Sequence, residues 1–419
     1  MNENVKRNNK IYNEGRAPGS DKNERVAAQI PTTGTNAINA YDVVVIGGGV
    51  AGCAAALAAA RNSSKVLLVE KMTVLGGLAT AGHIVIYLPL DDGYGRKVIS
   101  GLAEEFLEVS VTYGYGMDYK NWQIDGGRYE TNFNGPVFAL ALEELLLKEG
   151  VDIWFDTLFV GTTIDGGTVK EIIIENKSGR RQISCKAVVD ASGDAEVFAR
   201  SGELCYSREN SLAIWCYCTD GGKNHISKRG SKADKNLYLL TLGNIDKSAE
   251  RHVVATPYYA DDFKGVNRFI MDGHKKLLSQ VKEDPDLTLA SLPSMPQVRM
   301  ARRIEGEYIL KERDASKHFE DNIGGTGDWR RPAPVYEIPF RTLYTNNLKN
   351  VIAAGRCISA SEDAWEVTRV IAPAVLTGQS AGTAATLIAN SGVSVQNLDI
   401  AVLRNMLKNN GVLLDVNER

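Results

Sequence analysis

Apolar residues run almost unbroken through Tyr41-Asp42-Val43-Val44-Val45-Ile46 and again through Lys65-Val66-Leu67-Leu68-Val69. Such runs predict strands of a parallel sheet covered on both faces, not strands with one wet face. Between them Cys53-Ala54-Ala55-Ala56-Leu57-Ala58-Ala59-Ala60 predicts a helix of small side chains. Ala187-Val188-Val189-Asp190 and Asn350-Val351-Ile352-Ala353-Ala354 have the same buried-strand character. Around Thr162, over 169–175 and over 182–187 the runs alternate with turns at Asp165-Gly166-Gly167 and Ser178-Gly179, which predicts a three-stranded meander. Residues 138–147 read as an amphipathic helix and 151–157 as a strand. Between about 202 and 348 the composition changes, and strand-like runs at 211–219 and 237–242 alternate with polar loops and helical pieces.

The first two strands are joined through Gly47-Gly48-Gly49-Val50-Ala51-Gly52, and Glu70 ends the second. In such a loop the first glycine permits the tight turn, Gly49 lets backbone approach a pyrophosphate, and Gly52 lets the helix lie close on the sheet. The helix N-terminus offers unpaired N–H groups and positive partial charge to phosphates. Glu70 can accept hydrogen bonds from a ribose 2′-OH and would repel a 2′-phosphate. A glycine-rich turn alone is weak evidence; strand, loop, alanine helix, second strand and terminal acid in this order imply a dinucleotide site.

Length and composition narrow the setting. A chain of 419 residues suggests two to three structural units, and a formal charge of −3 gives no footprint for nucleic acid or an anionic membrane. The six cysteines are scattered without a CxxC, so no metal site is expected, and free thiols suit an intracellular, cytoplasmic protein. Cys216 and Cys218 lie two apart in a strand-like run and so point to one face, where buried packing is expected. No stretch reaches the ~20 apolar residues of a membrane helix. Residues 1–38 have no apolar signal region and read as a polar, disordered tail.

Past Glu70 the chain continues Lys71-Met72-Thr73-Val74-Leu75-Gly76-Gly77-Leu78-Ala79-Thr80-Ala81-Gly82. Later come Asp190-Ala191-Ser192-Gly193-Asp194, then Gly355-Arg356 after a buried strand, then a small-residue helix over 370–382. These segments resemble the glutathione-reductase-like FAD superfamily and, within it, the FAD-dependent oxidoreductase family of bacteria. The resemblance covers roughly residues 40–392 and includes 299–310, 336–341 and 355–359 with Arg369 downstream.

The resemblance implies an α/β fold: a Rossmann FAD-binding domain with a β-meander and an inserted α+β substrate domain. It implies a tail over 1–38, a discontinuous FAD-binding domain over 39–202 plus 349–392, a substrate or cap domain over 203–348, and a C-terminal helical segment over 393–419. FAD is the implied cofactor. Its implied contacts are Gly47, Gly49, Val50, Ala51, Gly52, Glu70, Lys71, Gly76, Gly77, Thr80, Phe159 at the adenine, Gly193, Asp194, Gly355, Arg356 and Ile371. The helix beginning near Ile371 would turn its positive end toward the flavin N1–C2=O edge, with Pro373 suited to its first turn.

Two departures matter. Disulfide-reducing relatives carry a cysteine pair just after the Gly-Gly turn, where this chain has Leu78-Ala79-Thr80-Ala81-Gly82-His83. No second GxGxxG appears mid-chain, so the electron donor or acceptor is expected to be a small molecule, a quinone, oxygen or a protein partner of unknown identity.

Hydride transfer needs a substrate C–H held over the ring, a group for the partner proton, and exclusion of water. Arg299, Arg302 and Arg303 fall at i, i+3 and i+4; they suit either a carboxylate clamp or structural pairing with Glu305 and Glu307. Arg356 and Arg369 flank the predicted flavin-facing turn and helix. His83 could be a proton relay, a covalent flavin attachment point or an ordinary structural histidine. Tyr336 is a proton donor or core residue, while His225, His252, His274 and His318 form no constellation.

The expectation is a flavin enzyme exchanging hydride between N5 and a small polar substrate, anionic or sugar-like. Flavin monooxygenation is the alternative. A non-catalytic binding protein of the GDP-dissociation-inhibitor kind, or an RNA-modifying flavoprotein, is disfavoured by the intact glycine loop and the lack of a basic face. No nucleic-acid partner or membrane span is expected, and homo-oligomerisation is left open.

Overall fold

The computed structural model describes residues 40–88, 90–112, 130–219, 237–243 and 257–417. His225, His252 and the polar segment 1–38 lie outside the described residues. In the nucleotide half, β1 (Tyr41–Ile46) leads through α1 (Val50–Arg61) to β2 (Val66–Val69). Then follow β3 (Ile86–Tyr87), α2 (Leu102–Thr112), β4 (Thr131–Asn132), α3 (Gly135–Lys148) and β5 (Asp152–Trp154). The meander is β6 (Leu158–Asp165), β7 (Thr168–Asn176) and β8 (Gly179–Asp190), closed by α4 (Glu196–Arg200).

The near-continuous apolar runs become central strands, as their composition requires. All of β1 except Asp42 is buried, and all of β2 is buried. β1 pairs in parallel with β2 on one side and β8 on the other; β5 pairs in parallel with β2. β8 serves two layers. Its first half pairs antiparallel with β7, and residues 185–190 then join β1. Where β7 departs, β16 (Val351–Ala353) takes the open side of β8. Asn350 locks that handover: its side chain donates to the carbonyls of Val169 and Lys186 and accepts from the Val169 N–H.

Beyond the meander come β9 (Cys205–Ser207), β10 (Ala213–Thr219), β11 (Tyr238–Gly243), α5 (Phe263–Glu283), β12 (Thr288–Ser291) and β13 (Arg302–Ile304). β10 is the middle of a three-stranded antiparallel sheet with β11 and β12. Cys216 and Cys218 do share its buried face, with Sγ atoms 3.5 Å apart, packed with Leu277 of α5. β14 (Asn322–Gly327) and β15 (Val335–Pro339) form a hairpin. Apolar residues of 304–348 pack into the same core as the parallel sheet, whereas those of 212–301 form largely separate clusters. The chain ends with α6 (Glu362–Thr368), α7 (Ile371–Ser391) and α8 (Ile400–Asn409). Among the described residues no helix is long and apolar enough to cross a membrane.

Small residues set the central contact. A Cβ on Gly378 would collide with the carbonyl of Ala51, and one on Gly382 with that of Ala55, so α7 rests on the backbone of α1. Gly52 likewise lies against the Gly47 carbonyl. Forcing extra atoms into such contacts costs about 1–3 kcal/mol. Gly378→Ala is therefore expected to destabilise the protein by about 1–3 kcal/mol, read as a lower denaturant midpoint; an unchanged midpoint would show that the helices are not held this tightly.

Candidate functional site

The parallel strands end on a cavity of about 1770 Å³. Ile46, Val69, Ala191 and Ala354, at or just beyond the carboxyl ends of β1, β2, β8 and β16, line it. Ligands of open α/β sheets bind at that edge.

The glycine loop forms one wall. Gly47 has φ +99°, and a Cβ there would lie 2.6 Å from the Ala191 carbonyl oxygen, so no side chain is accommodated. Gly49 differs: it has an ordinary φ of −66°, and a Cβ on it would meet nothing within 4 Å, because that space is the cavity. Gly49 caps α1 without a side-chain hydrogen bond, and no acid sits in the first turn. The N-terminus of α7 also lacks a side-chain cap, and Val370, Ile371 and Ala374 face the same cavity. Two helix N-termini with spare N–H groups thus open into one space, an arrangement suited to anionic or electron-rich ligand atoms.

Glu70 is buried at the end of β2 and accepts from the N–H of Gly48 (2.6 Å) and of Met72 (2.7 Å). One bond goes to each carboxylate oxygen, leaving lone pairs for a ligand hydroxyl. The Gly76-Gly77 turn is tied to the loop by the Gly76 N–H, which donates to the Gly48 carbonyl at 2.8 Å. Lys71, Gly76, Gly77, Phe159, Gly193, Asp194, Gly355 and Arg356 also line the cavity. Gly52 and Thr80 do not. Gly52 is consumed in helix packing, and the Thr80 hydroxyl donates to the Leu75 carbonyl beneath the turn.

The arginines separate. Their i, i+3, i+4 spacing does not place them on a common helix face, because the segment is a loop leading into β13. Arg302 is outside the cavity lining; it donates to the Asp194 carbonyl and pairs with Glu196. Arg303 pairs with Glu305 at 3.0 Å and stacks on Tyr206. Arg356 pairs with Asp194 at 2.8 Å, and Arg369 pairs with Glu366. Arg299 lines the cavity over the Trp215 ring, donating to the Gln297 carbonyl at 2.7 Å. Its guanidinium is pushed down to about 9, first by burial and then by the charges of Arg369 and Arg356.

His83 is not among the lining residues. It has φ +54° and packs on Tyr217, and burial holds its imidazole below the usual range, favouring the neutral form. Tyr336 is fully buried in β15, away from the cavity lining. Cys53 and Cys357 are buried thiols raised far above the usual range by desolvation, which keeps them protonated.

Another part of the cavity lining contains residues that no motif marks. Trp215, Trp329, Met295, Arg208 and Glu366 line it. Two buried amides hold it in place. Asn210 accepts from the N–H groups of Arg299 and Met300, and Gln297 donates to the carbonyls of Gly82 and Trp215. A polar residue in a loop of mixed composition gives no signal of such a role until its distant partners are known.

Comparison with known proteins agrees with this geometry. Residues 42–211 and 250–407 match the family of FAD dependent oxidoreductases. A digeranylgeranylglycerophospholipid reductase of Sulfolobus acidocaldarius is 27% identical over 170 residues, covering 38% of this chain and only 35% of that protein. Among solved structures, p-nitrophenol 4-monooxygenase PnpA of Pseudomonas putida superposes with a TM-score of 0.51 at 14% identity, covering 89% of both chains. A geranylgeranyl bacteriochlorophyll reductase-like protein of Thermoplasma acidophilum gives 0.46 at 13% identity, covering 88% of this chain and 83% of that one. At such identities the structural likeness speaks for the fold, while the family match spans well over half the chain. With a glycine loop, a buried acid and two open helix ends around one cavity, the chain belongs to the FAD dependent oxidoreductases, and FAD is its cofactor.

Proposed function

We propose that the protein is a dehydrogenase or reductase whose FAD exchanges hydride with a small polar molecule held against the Trp215–Arg299–Trp329 wall. The observation carrying this reading is that the glycine loop, the start of α7 and that wall all line one cavity. Its volume of about 1770 Å³ exceeds the roughly 300–1,000 Å³ of ordinary ligand pockets, leaving room for cofactor and substrate together.

In this reading Gly47, Gly49, Val50 and Ala51 would hold the pyrophosphate, Glu70 a ribose hydroxyl, and Phe159 the adenine. Gly76, Gly77, Gly193, Asp194, Gly355, Arg356 and the first turn of α7 would line the remainder of the cofactor. When bound, FAD supplies a two-electron acceptor or donor. The chain supplies orientation and a wall that excludes water. We assign Thr80 and Gly52 to shaping the loop, and Arg302 to fastening β13 onto the Asp194–Glu196 segment.

Monooxygenation stands as a second reading, favoured by the fold shared with p-nitrophenol 4-monooxygenase. The two separate in a stopped-flow experiment. Anaerobic mixing with a panel of small polar reductants, without NAD(P)H, is expected to bleach the flavin absorbance with at least one of them. Reduction only by NAD(P)H, with oxygen uptake coupled to substrate, would instead favour monooxygenation.

The cofactor assignments are tested at Gly49. Its backbone angles suit any residue and its Cβ space is empty of protein, so Gly49→Val is expected to fold with an unchanged melting temperature as apoprotein. The added methyls would occupy the pyrophosphate space, so FAD affinity is expected to fall by about tenfold or more, equivalent to 1.4 kcal/mol or more. Undiminished FAD retention in this variant would place the cofactor elsewhere.

A further inference from the structure

Arg299 is surrounded differently from its neighbours. Arg303, Arg330, Arg356 and Arg369 line the same cavity, and each has a carboxylate partner: Glu305, Asp328 with Asp363, Asp194 and Glu366. For Arg299 the partner found among the described residues is the Gln297 carbonyl, a neutral acceptor. A guanidinium carries five donors, so one bond leaves most of its fork unused.

The group is nevertheless held. Its backbone N–H and that of Met300 donate to the buried Asn210 side chain at 3.0 and 2.8 Å. The guanidinium carbon lies 5.6 Å from the Trp215 ring centroid, and Trp215 is fixed by Gln297 through its own N–H and carbonyl. Charges nearby increase the demand for an anion. Arg356 and Arg369 both disfavour protonation of Arg299, and Glu366, which favours it, is already paired with Arg369. A fixed, partly desolvated cation beside two others is stabilised by an incoming negative group.

Resting on the oxidoreductase reading above, we propose that Arg299 is the anchor for a substrate carboxylate, received as a two-point pair beside the Trp215 ring. The planar fork matches the two oxygens of a carboxylate. Trp215, Trp329, Met295 and Met300 offer apolar surface for the body of the same molecule. The substrate class is therefore a small organic acid with a flat or apolar body, and Asn210 and Gln297 are positioning residues for its anchor.

The test uses the full-length, FAD-loaded protein in its oxidised state, titrated with benzoate, its neutral counterpart benzamide, and inorganic phosphate, following the visible flavin spectrum. Benzoate is expected to give a saturable perturbation, with benzamide and phosphate weaker by about tenfold or more. Arg299→Met is expected to keep FAD and its melting temperature while losing benzoate affinity by a similar factor, and Arg299→Lys to recover part of it. In the wild type, affinity should hold through neutral pH and weaken toward alkaline pH, because burial and the charges of Arg369 and Arg356 ease proton loss from Arg299. This sign follows because only the protonated form attracts the anion.

No benzoate binding, equal binding of benzamide, preference for phosphate, or an Arg299→Met variant that binds benzoate normally would overturn the assignment. Loss of FAD from Arg299→Met would also overturn it, by making Arg299 a cofactor ligand. If Arg299→Met does not fold, the wild-type pH profile and the Arg299→Lys titration decide. Because binding is read without turnover, a flavin that no substrate reduces would sink the oxidoreductase reading alone.

Discussion

Gly378 and Gly382 bring α7 onto the carbonyls of Ala51 and Ala55, and Gly52 brings α1 onto the Gly47 turn. A larger residue at Gly378 or Gly382 would push α7 away from α1, and one at Gly52 would push α1 off the Gly47 turn. The two helix N-termini would then shift relative to one another at the cavity. The macrodipole acts mainly over the first turn, so a displacement of a few ångströms would remove much of its effect on a bound group. Close packing of small residues is therefore a condition of the electrostatics. The alanine-rich composition of α1 serves the same purpose, since residues 51–59 are all buried and little but backbone separates the helix from its neighbours.

The local part of this arrangement was readable in the sequence, and the reason is physical. The loop 47–52, Glu70 and the Gly76-Gly77 turn work through backbone geometry within a short stretch, so spacing alone carries most of the information. The meander was legible for the same reason, its strands being adjacent and joined by glycine turns. The arginines were not. Arg302 is committed to Glu196, 106 positions away, and Arg356 to Asp194, 162 positions away, and no local pattern records those pairings. Their i, i+3, i+4 spacing made Arg299, Arg302 and Arg303 look alike; tertiary partners made them different.

The same limit hid the part of the cavity lined by Trp215 and Arg299. Asn210 and Gln297 are uncharged residues in loops, and their importance rests on bonds to Met300, Tyr258, Gly82 and Trp215. Burying amide side chains is tolerable only when their donors and acceptors are satisfied. Each does this with backbone groups from separate segments and so fixes those segments relative to one another. His83 shows the converse. Its position after the Gly-Gly turn left chemistry and structure both open, and its left-handed backbone and contact with Tyr217 put it at the junction between that turn and β10.

Charge then divides the cavity into structural and available groups. Arg330 bridges Asp328 to Asp363, Arg369 grips Glu366 within α6 and its C-cap, and Arg356 joins the turn after β16 to the segment after β8. These pairs stiffen the walls, while Arg356 and Arg369 still act on Arg299 as neighbouring positive charges. A guanidinium already bound to a carboxylate has fewer donors left for a further anion than one that lacks such a partner. The carboxylate pairing of Arg303, Arg330, Arg356 and Arg369 thus sets Arg299 apart from these four. An anion entering beside Trp215 meets in Arg356 and Arg369 guanidinium groups already committed to carboxylates, and in Arg299 one whose fork is still largely open.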